Sequence, residues 1–240
     1  MAKRFNGFKG FVLQRGISPI DGSPFVVIMT IKTSNPKTGR MFQVWILRED
    51  IDPVEAIANG EDYSICGNCS HRGQYDPTLD KYINRSCYVN PGQAPLSIWR
   101  AYKRGVYGQL SDLTPEMIKG NKIRWGSYGD PSLIAPSLFH TINEHADSHT
   151  GYTHQWREPF AQWCKGYFMA SCDGLDDYLN ASAHGWQTFA VIPKHSVAYS
   201  GKLCPATAPK SQATCNTCTL CNGSKTDVYV EAHGSGAKHV

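Results

Sequence analysis

The residues able to do chemistry in this chain are above all its cysteines. Four of the nine follow the pattern C-P-x9-C-x2-C-x2-C, as Cys204-Pro205, Cys215, Cys218 and Cys221. Four thiolates can close one tetrahedral or cubane site. Structural zinc prefers two separated C-x2-C pairs. Three cysteines at successive x2 steps with a distal Cys-Pro follow instead the spacing of a [4Fe–4S] site, so iron is expected and zinc is the alternative. A closed set of four leaves no position for a substrate, which points to a structural or electron-relay role.

A second set is one ligand short. Cys66-Gly67-Asn68-Cys69 is followed by His71 and Arg72, and then by Cys87-Tyr88, giving C-x2-C-x17-C. On a cubane, three thiolates leave one iron open to a substrate or cofactor. On zinc they leave a place for His71, another histidine or a catalytic water. Cys66, Cys69, Cys87 and Tyr88 are therefore the expected cofactor-binding residues. Cys164 and Cys172 are read as core residues, with Cys172 at a strand end near the site.

Composition bounds the remaining choices. The 240 residues are 41% hydrophobic and 11% aromatic with a net charge of +4, enough to bury a core and unlike a disordered chain. No apolar run approaches the ~20 residues that cross a bilayer, and the start MAKRFNGFKG has no apolar h-region, so neither a membrane span nor secretion is expected. An odd number of cysteines without a secretion signal suits metal or catalytic thiols better than disulfides. The net charge falls in residues 99–125, where Arg100, Lys103, Arg104, Lys119, Lys122 and Arg124 face only Asp112 and Glu116. With Trp99, Tyr102, Tyr107 and Trp125 interleaved, the segment could make a weak nucleic-acid contact. The competing reading is an amphipathic helix over 97–104 with solvated cations and with Trp99 and Tyr102 packed inward.

The elements that must position these residues are legible in part. PFVVIMTIK and MFQVWILRE flank the turn formers Asn35-Pro36-Lys37-Thr38-Gly39 and should pair as a hairpin. Asp52-Pro53 opens a short helix closed by Gly60. Residues 66–94 read as a loop that a metal centre would order. Beyond residue 122, KIRWGS, GYTHQW, YFMASC and WQTFAVI read as strands, and PSLFHTINEHA, PFAQWCK and LDDYLNASAH as the helices between them. Strands alternating with helices imply right-handed crossovers and a parallel sheet. The expected fold is thus α/β, a partial (β/α) barrel or open parallel sheet, with an N-terminal β-hairpin and a cysteine-rich C-terminal tail. Its segments would be 1–94 with the hairpin and first cysteine loop, 95–200 with the β/α core, and 201–240 with the second cysteine set and a last strand, in one compact domain.

In such sheets reactive groups gather beyond the carboxyl ends of the strands. Those ends are Ser127-Tyr128-Gly129-Asp130, His154-Gln155-Trp156-Arg157, Ser171-Cys172-Asp173 and Pro193-Lys194-His195. Asp130, His154, Arg157 and Asp173 are the expected catalytic residues. Taken singly, Asp130 could equally hold a turn before Pro131, and Asp173 could cap the helix that follows it.

The runs SICGNCSHR, SCYVNPGQAPLSIWRAYKRGVY, RWGSYGDPSLIAP, GYTHQW, FMASCD and GWQTFAVI, then CPAT with C-x2-C-x2-C and the terminal EAHG, resemble a family of uncharacterised bacteriophage proteins described as radical-SAM-like. The resemblance spans roughly residues 10–235. It implies a phage-encoded iron–sulfur protein with a partial (β/α) barrel, at work in the cytoplasm of the infected bacterial host. It also implies S-adenosylmethionine as a candidate ligand of the open iron, although C-x2-C-x17-C replaces the C-x3-C-x2-C loop of radical S-adenosylmethionine enzymes.

Together these readings lead to a redox enzyme with one open-site [4Fe–4S] cluster on Cys66, Cys69 and Cys87 and one fully ligated cluster on Cys204, Cys215, Cys218 and Cys221. An electron donor and a small-molecule or nucleotide-derived substrate would be its partners. The alternatives are a zinc-stabilised nucleic-acid-binding module and an electron-transfer or redox-sensing protein without a substrate.

Overall fold

The computed structural model describes residues 5–193, 199–208 and 210–232. Three strands open the chain: β1 (Gly10–Ile17), β2 (Pro24–Thr30) and β3 (Phe42–Arg48). β2 and β3 pair antiparallel from Phe25 opposite Arg48 to Thr30 opposite Gln43, which is the hairpin expected around residues 35–39. β1, not anticipated, pairs antiparallel with β2 and carries a bulge between Val12 and Gln14 that interrupts its alternation. α1 (Pro53–Ala58) begins as predicted, with Asp52 Oδ1 accepting from the backbone N–H of Val54 and Glu55.

The segment 66–94 is less irregular than its composition suggests. α2 (Tyr63–Cys66) ends on the first cysteine, a 3-10 turn covers Ser70–Arg72, and β4 (Gln74–Asp76) and β5 (Lys81–Ile83) form a small antiparallel hairpin. α3 (Ala94–Lys103) begins three residues earlier than read, its first turn held by Pro95. β6 (Gly108–Gln109), α4 (Pro115–Ile118), β7 (Lys122–Tyr128) and α5 (Pro136–Asn143) follow.

The predicted strand over 151–156 is divided. β8 (Ser148–Thr150) and β9 (Tyr152–Thr153) flank Gly151 and belong to different sheets. A 3-10 segment Pro159–Cys164, β10 (Met169–Cys172), α6 (Leu175–Ala183) and β11 (Thr188–Ile192) complete the alternating region. β12 (Lys202–Leu203), α7 (Cys215–Cys218) and β13 (Val228–Glu231) make up the tail, so the expected last strand is present.

One sheet runs β6-β1-β2-β3-β7-β8 and the other β12-β13-β11-β10-β9. Apart from the small β4–β5 hairpin, every pairing beyond β3 is parallel: β3 with β7, β7 with β8, β9 with β10, β10 with β11, β11 with β13 and β13 with β12. The protein is therefore mixed α/β, with a hairpin leading into parallel strands. Segment 148–153 passes from one sheet to the other at Gly151, where an added Cβ would lie 2.6 Å from the Phe168 ring. Trp125, Phe139 and Phe168, all fully buried, lock this junction edge to face, with centroids 5.2 Å and 5.1 Å apart. No described helix is long and apolar enough to cross a membrane.

Candidate metal centre

The two cysteine sets, more than a hundred residues apart in sequence, line one cavity of about 310 Å³. Cys66, Cys69 and Cys87 of the first set and Cys204 and Cys215 of the second are in its lining, with Arg124, Tyr152 and His154. All nine cysteines are free thiols.

The first set is assembled by α2 and the turn after it. Gly67, at φ +52, reverses the chain directly after Cys66, and a Cβ there would strike the Gln155 side chain at 2.3 Å. Gln155 Nε2 donates to the Cys66 carbonyl at 2.9 Å, which ties the loop to the end of β9. The Cys87 N–H donates to the His71 carbonyl at 3.0 Å and brings in the distal thiol. Arg85 supports that arm by donating to the carbonyls of Cys87 and Val89, each at 3.0 Å. Burial pushes the Cys66 thiol well up, helped by Asp62 and by the neighbouring Cys69 and Cys87, and burial raises Cys87 too. A crowded group of thiols costly to ionise is one that a bound cation would convert to thiolates.

The tail set is hung on the β2–β3 connection. The N–H groups of Cys215 and Asn216 donate to the carbonyls of Lys37 and Thr38 at 2.9 and 3.1 Å, and Thr214 caps α7. The Gly151 N–H donates to the Cys221 carbonyl at 3.0 Å. Burial raises the Cys221 thiol, with Cys204, Cys215 and Cys218 adding to the effect. Cys204, Cys215 and Cys218 are therefore near enough to Cys221 to act on its charge.

Arg124, which the sequence marked only as a cation, is 8% exposed at the edge of this set. Its guanidinium lies 3.9 Å from Cys215 Sγ, donates to the Tyr88 hydroxyl at 2.8 Å and sits 5.5 Å from the Tyr152 ring centroid. Burial alone would lower its pKa, but the phenols and thiols around it hold it above the ordinary value. Tyr88, expected to bind cofactor, is 72% exposed at the cavity wall and meets Arg124.

The expected catalytic residues separate. Asp130 is buried and structural in its contacts, accepting from Thr153 Oγ1 at 2.7 Å, His154 N at 2.8 Å and Ser132 N at 3.0 Å. Arg157 is exposed, pairs with Asp177 and stacks on Trp156, and it is not among the cavity-lining residues. His154 and Asp173 do come together. His154 Nε2 lies 3.4 Å from Asp173 Oδ2 and 3.7 Å from Cys69 Sγ, while His71 Nε2 lies 3.0 Å from Asp173 Oδ1. Burial acts to lower the His154 pKa, yet Cys69 and Asp173 hold it well above the usual range. Burial likewise works against the Asp173 carboxylate, which the two imidazoles nevertheless keep far below its usual value.

Cys164 and Cys172 are fully buried, as expected of core residues, and burial pushes the Cys172 thiol to about 12. Lys194 and His195, and His233 and Gly234 of the terminal EAHG, lie outside the described residues. Compared with protein-family models, with curated proteins and with solved structures, the chain matches none.

Proposed function

We propose that this chain is an iron–sulfur redox enzyme of radical-SAM-like type. The observation that carries the reading is the shared cavity, whose lining holds Cys66, Cys69 and Cys87 together with Cys204 and Cys215 of the tail set. The parallel pairing in both large sheets beyond β3 fits the open parallel sheet expected for such a protein. Cys66, Cys69 and Cys87 would hold a cluster with one iron not ligated by protein, and Cys204, Cys215, Cys218 and Cys221 a closed one.

An open-site cluster supplies an electron and a coordination position for a small chelating ligand such as S-adenosylmethionine. The chain's own residues would do the rest. Arg124 places a buried positive charge beside Cys215, where it offsets thiolate charge. His154 stands against Cys69, with its Nε2 3.7 Å from the thiol, at the edge of the open set. Tyr152 and Phe189, whose ring centroids are 4.4 Å apart, supply an apolar wall that keeps water from the cavity.

Protein purified without oxygen should be brown and should carry iron and acid-labile sulfide in comparable amounts. Cys87→Ala should remove the paramagnetic signal that responds to added S-adenosylmethionine, and Cys218→Ala should remove the other. A colourless protein with stoichiometric zinc would overturn the reading.

A further inference from the structure

We propose that His71, His154 and Asp173 hold a single first-row divalent cation at the cavity wall, distinct from the cysteine sites. Among the described residues these three side chains place two imidazole nitrogens and a carboxylate oxygen all within 4.8 Å of one another. They come from three elements, the 3-10 turn Ser70–Arg72, the end of β9 and the end of β10, so tertiary structure and not a local motif makes them converge.

Two hydroxyls steady the set. Ser86 Oγ lies 2.6 Å from His71 Nδ1, which leaves Nε2 directed at the carboxylate, and Ser70 Oγ donates to Asp173 Oδ2 at 2.6 Å. Metal ligands are held in this way, with the second ring nitrogen or second oxygen engaged by a neighbour. His71 and His154 line the cavity, and the side chains are 16%, 21% and 18% exposed for His71, His154 and Asp173. Further ligands could therefore reach a cation here. Two imidazoles with one carboxylate select iron, cobalt or zinc, because calcium and magnesium prefer all-oxygen sites. Three protein ligands leave positions for water or for an oxygen of a molecule in the cavity. Cys69 Sγ lies 3.7 Å from His154 Nε2 but is not one of the three, so the ligand set itself does not require a cluster.

Cobalt is a direct probe. Anaerobically purified protein, dialysed against chelator to remove labile divalent ions, should take up one equivalent of Co2+ and show d–d bands without strong sulfur-to-cobalt charge transfer. Asp173→Asn and His71→Gln should each weaken uptake by at least about tenfold, with iron, sulfide and circular dichroism unchanged, while Cys66→Ser should bind cobalt as the parent does. Equal uptake by the parent and Asp173→Asn would reduce the trio to a hydrogen-bonded array and overturn the proposal, as would a charge-transfer band that disappears in Cys66→Ser. Protein without iron or sulfide that still binds cobalt through these residues would overturn the cluster reading and sustain this one.

Discussion

His149 shows how much one side chain can be constrained by its neighbours. The Trp125 indole N–H donates to Asn143 Oδ1, Asn143 Nδ2 donates to His149 Nδ1, and His149 Nε2 donates to the Tyr167 carbonyl, at 3.3, 3.1 and 2.7 Å. The indole fixes the amide's orientation, so the ring nitrogen facing Asn143 must accept and the imidazole is held neutral. Burial, the dominant cause, lowers its pKa accordingly. A folded-state pKa below the unfolded value of about 6.5 means that the unfolded chain takes up the proton first as pH falls. The stability contributed is complete above that value and is lost on acidification toward the folded pKa. His149→Gln, which keeps both hydrogen bonds without titrating, should therefore lose less of its melting temperature between pH 7.5 and 5.5 than the parent does. Parallel pH profiles would refute the account. At the same scale, Asp130 shows why a carboxylate at a strand end need not be reactive, since three donors already occupy its oxygens.

Among the elements, the strand pair β8–β9 decides the architecture. A regular strand over 148–153 would stay in one sheet, whereas Gly151 lets β8 pair with β7 and β9 with β10. The reason is steric: the Phe168 ring, fully buried, occupies the space a side chain at 151 would need, and the Trp125 carbonyl closes the other side at 3.3 Å. Gly151→Ala should cost about 1–3 kcal/mol, since neither Phe168 nor the backbone can yield in a packed core. A chemical-denaturation midpoint is sufficient to check it, and a midpoint unchanged from the parent would show that the junction is not tightly packed. The junction also carries the tail, because Gly151 N–H bonds to Cys221. Distortion there should increase thiol reactivity at Cys218 and Cys221 before global unfolding.

On the scale of the whole molecule, the aromatic rings and two of the cations in residues 99–125 are engaged within the protein. Trp125 is fully buried and Tyr107 nearly so, the Trp99 indole donates to the Arg48 carbonyl at 3.1 Å, and Tyr102 bonds to Glu49. Lys122 donates to the Asn216 carbonyl at 2.6 Å and Arg124 is buried against the tail cysteines. Base stacking needs exposed rings, and these rings are spoken for by the core and by α3's packing on β3. Binding of a single-stranded oligonucleotide, followed by fluorescence anisotropy, should be weak at low salt and absent at physiological salt, as few phosphates can be neutralised. A nanomolar complex at physiological salt would show that another face binds nucleic acid.

What the sequence determined by itself was local. Turn formers at 35–39 set the β2–β3 hairpin, Asp52-Pro53 set the start of α1, and the alternation after residue 122 set most of the later strands and helices, because these depend on neighbours a few residues away. The spacing of the four tail cysteines was legible for the same reason. It could not show β1, whose bulge breaks the two-residue period, nor the division of one strand at Gly151, which follows from the distant Phe168 ring. Tertiary structure alone decided that cysteines of both sets line one cavity, that Asp173 draws His71 and His154 together, and that Arg157 points elsewhere. Those outcomes depend on where the carboxyl ends of parallel strands meet after the crossovers have packed, a property of the assembled sheet that no short window of sequence contains.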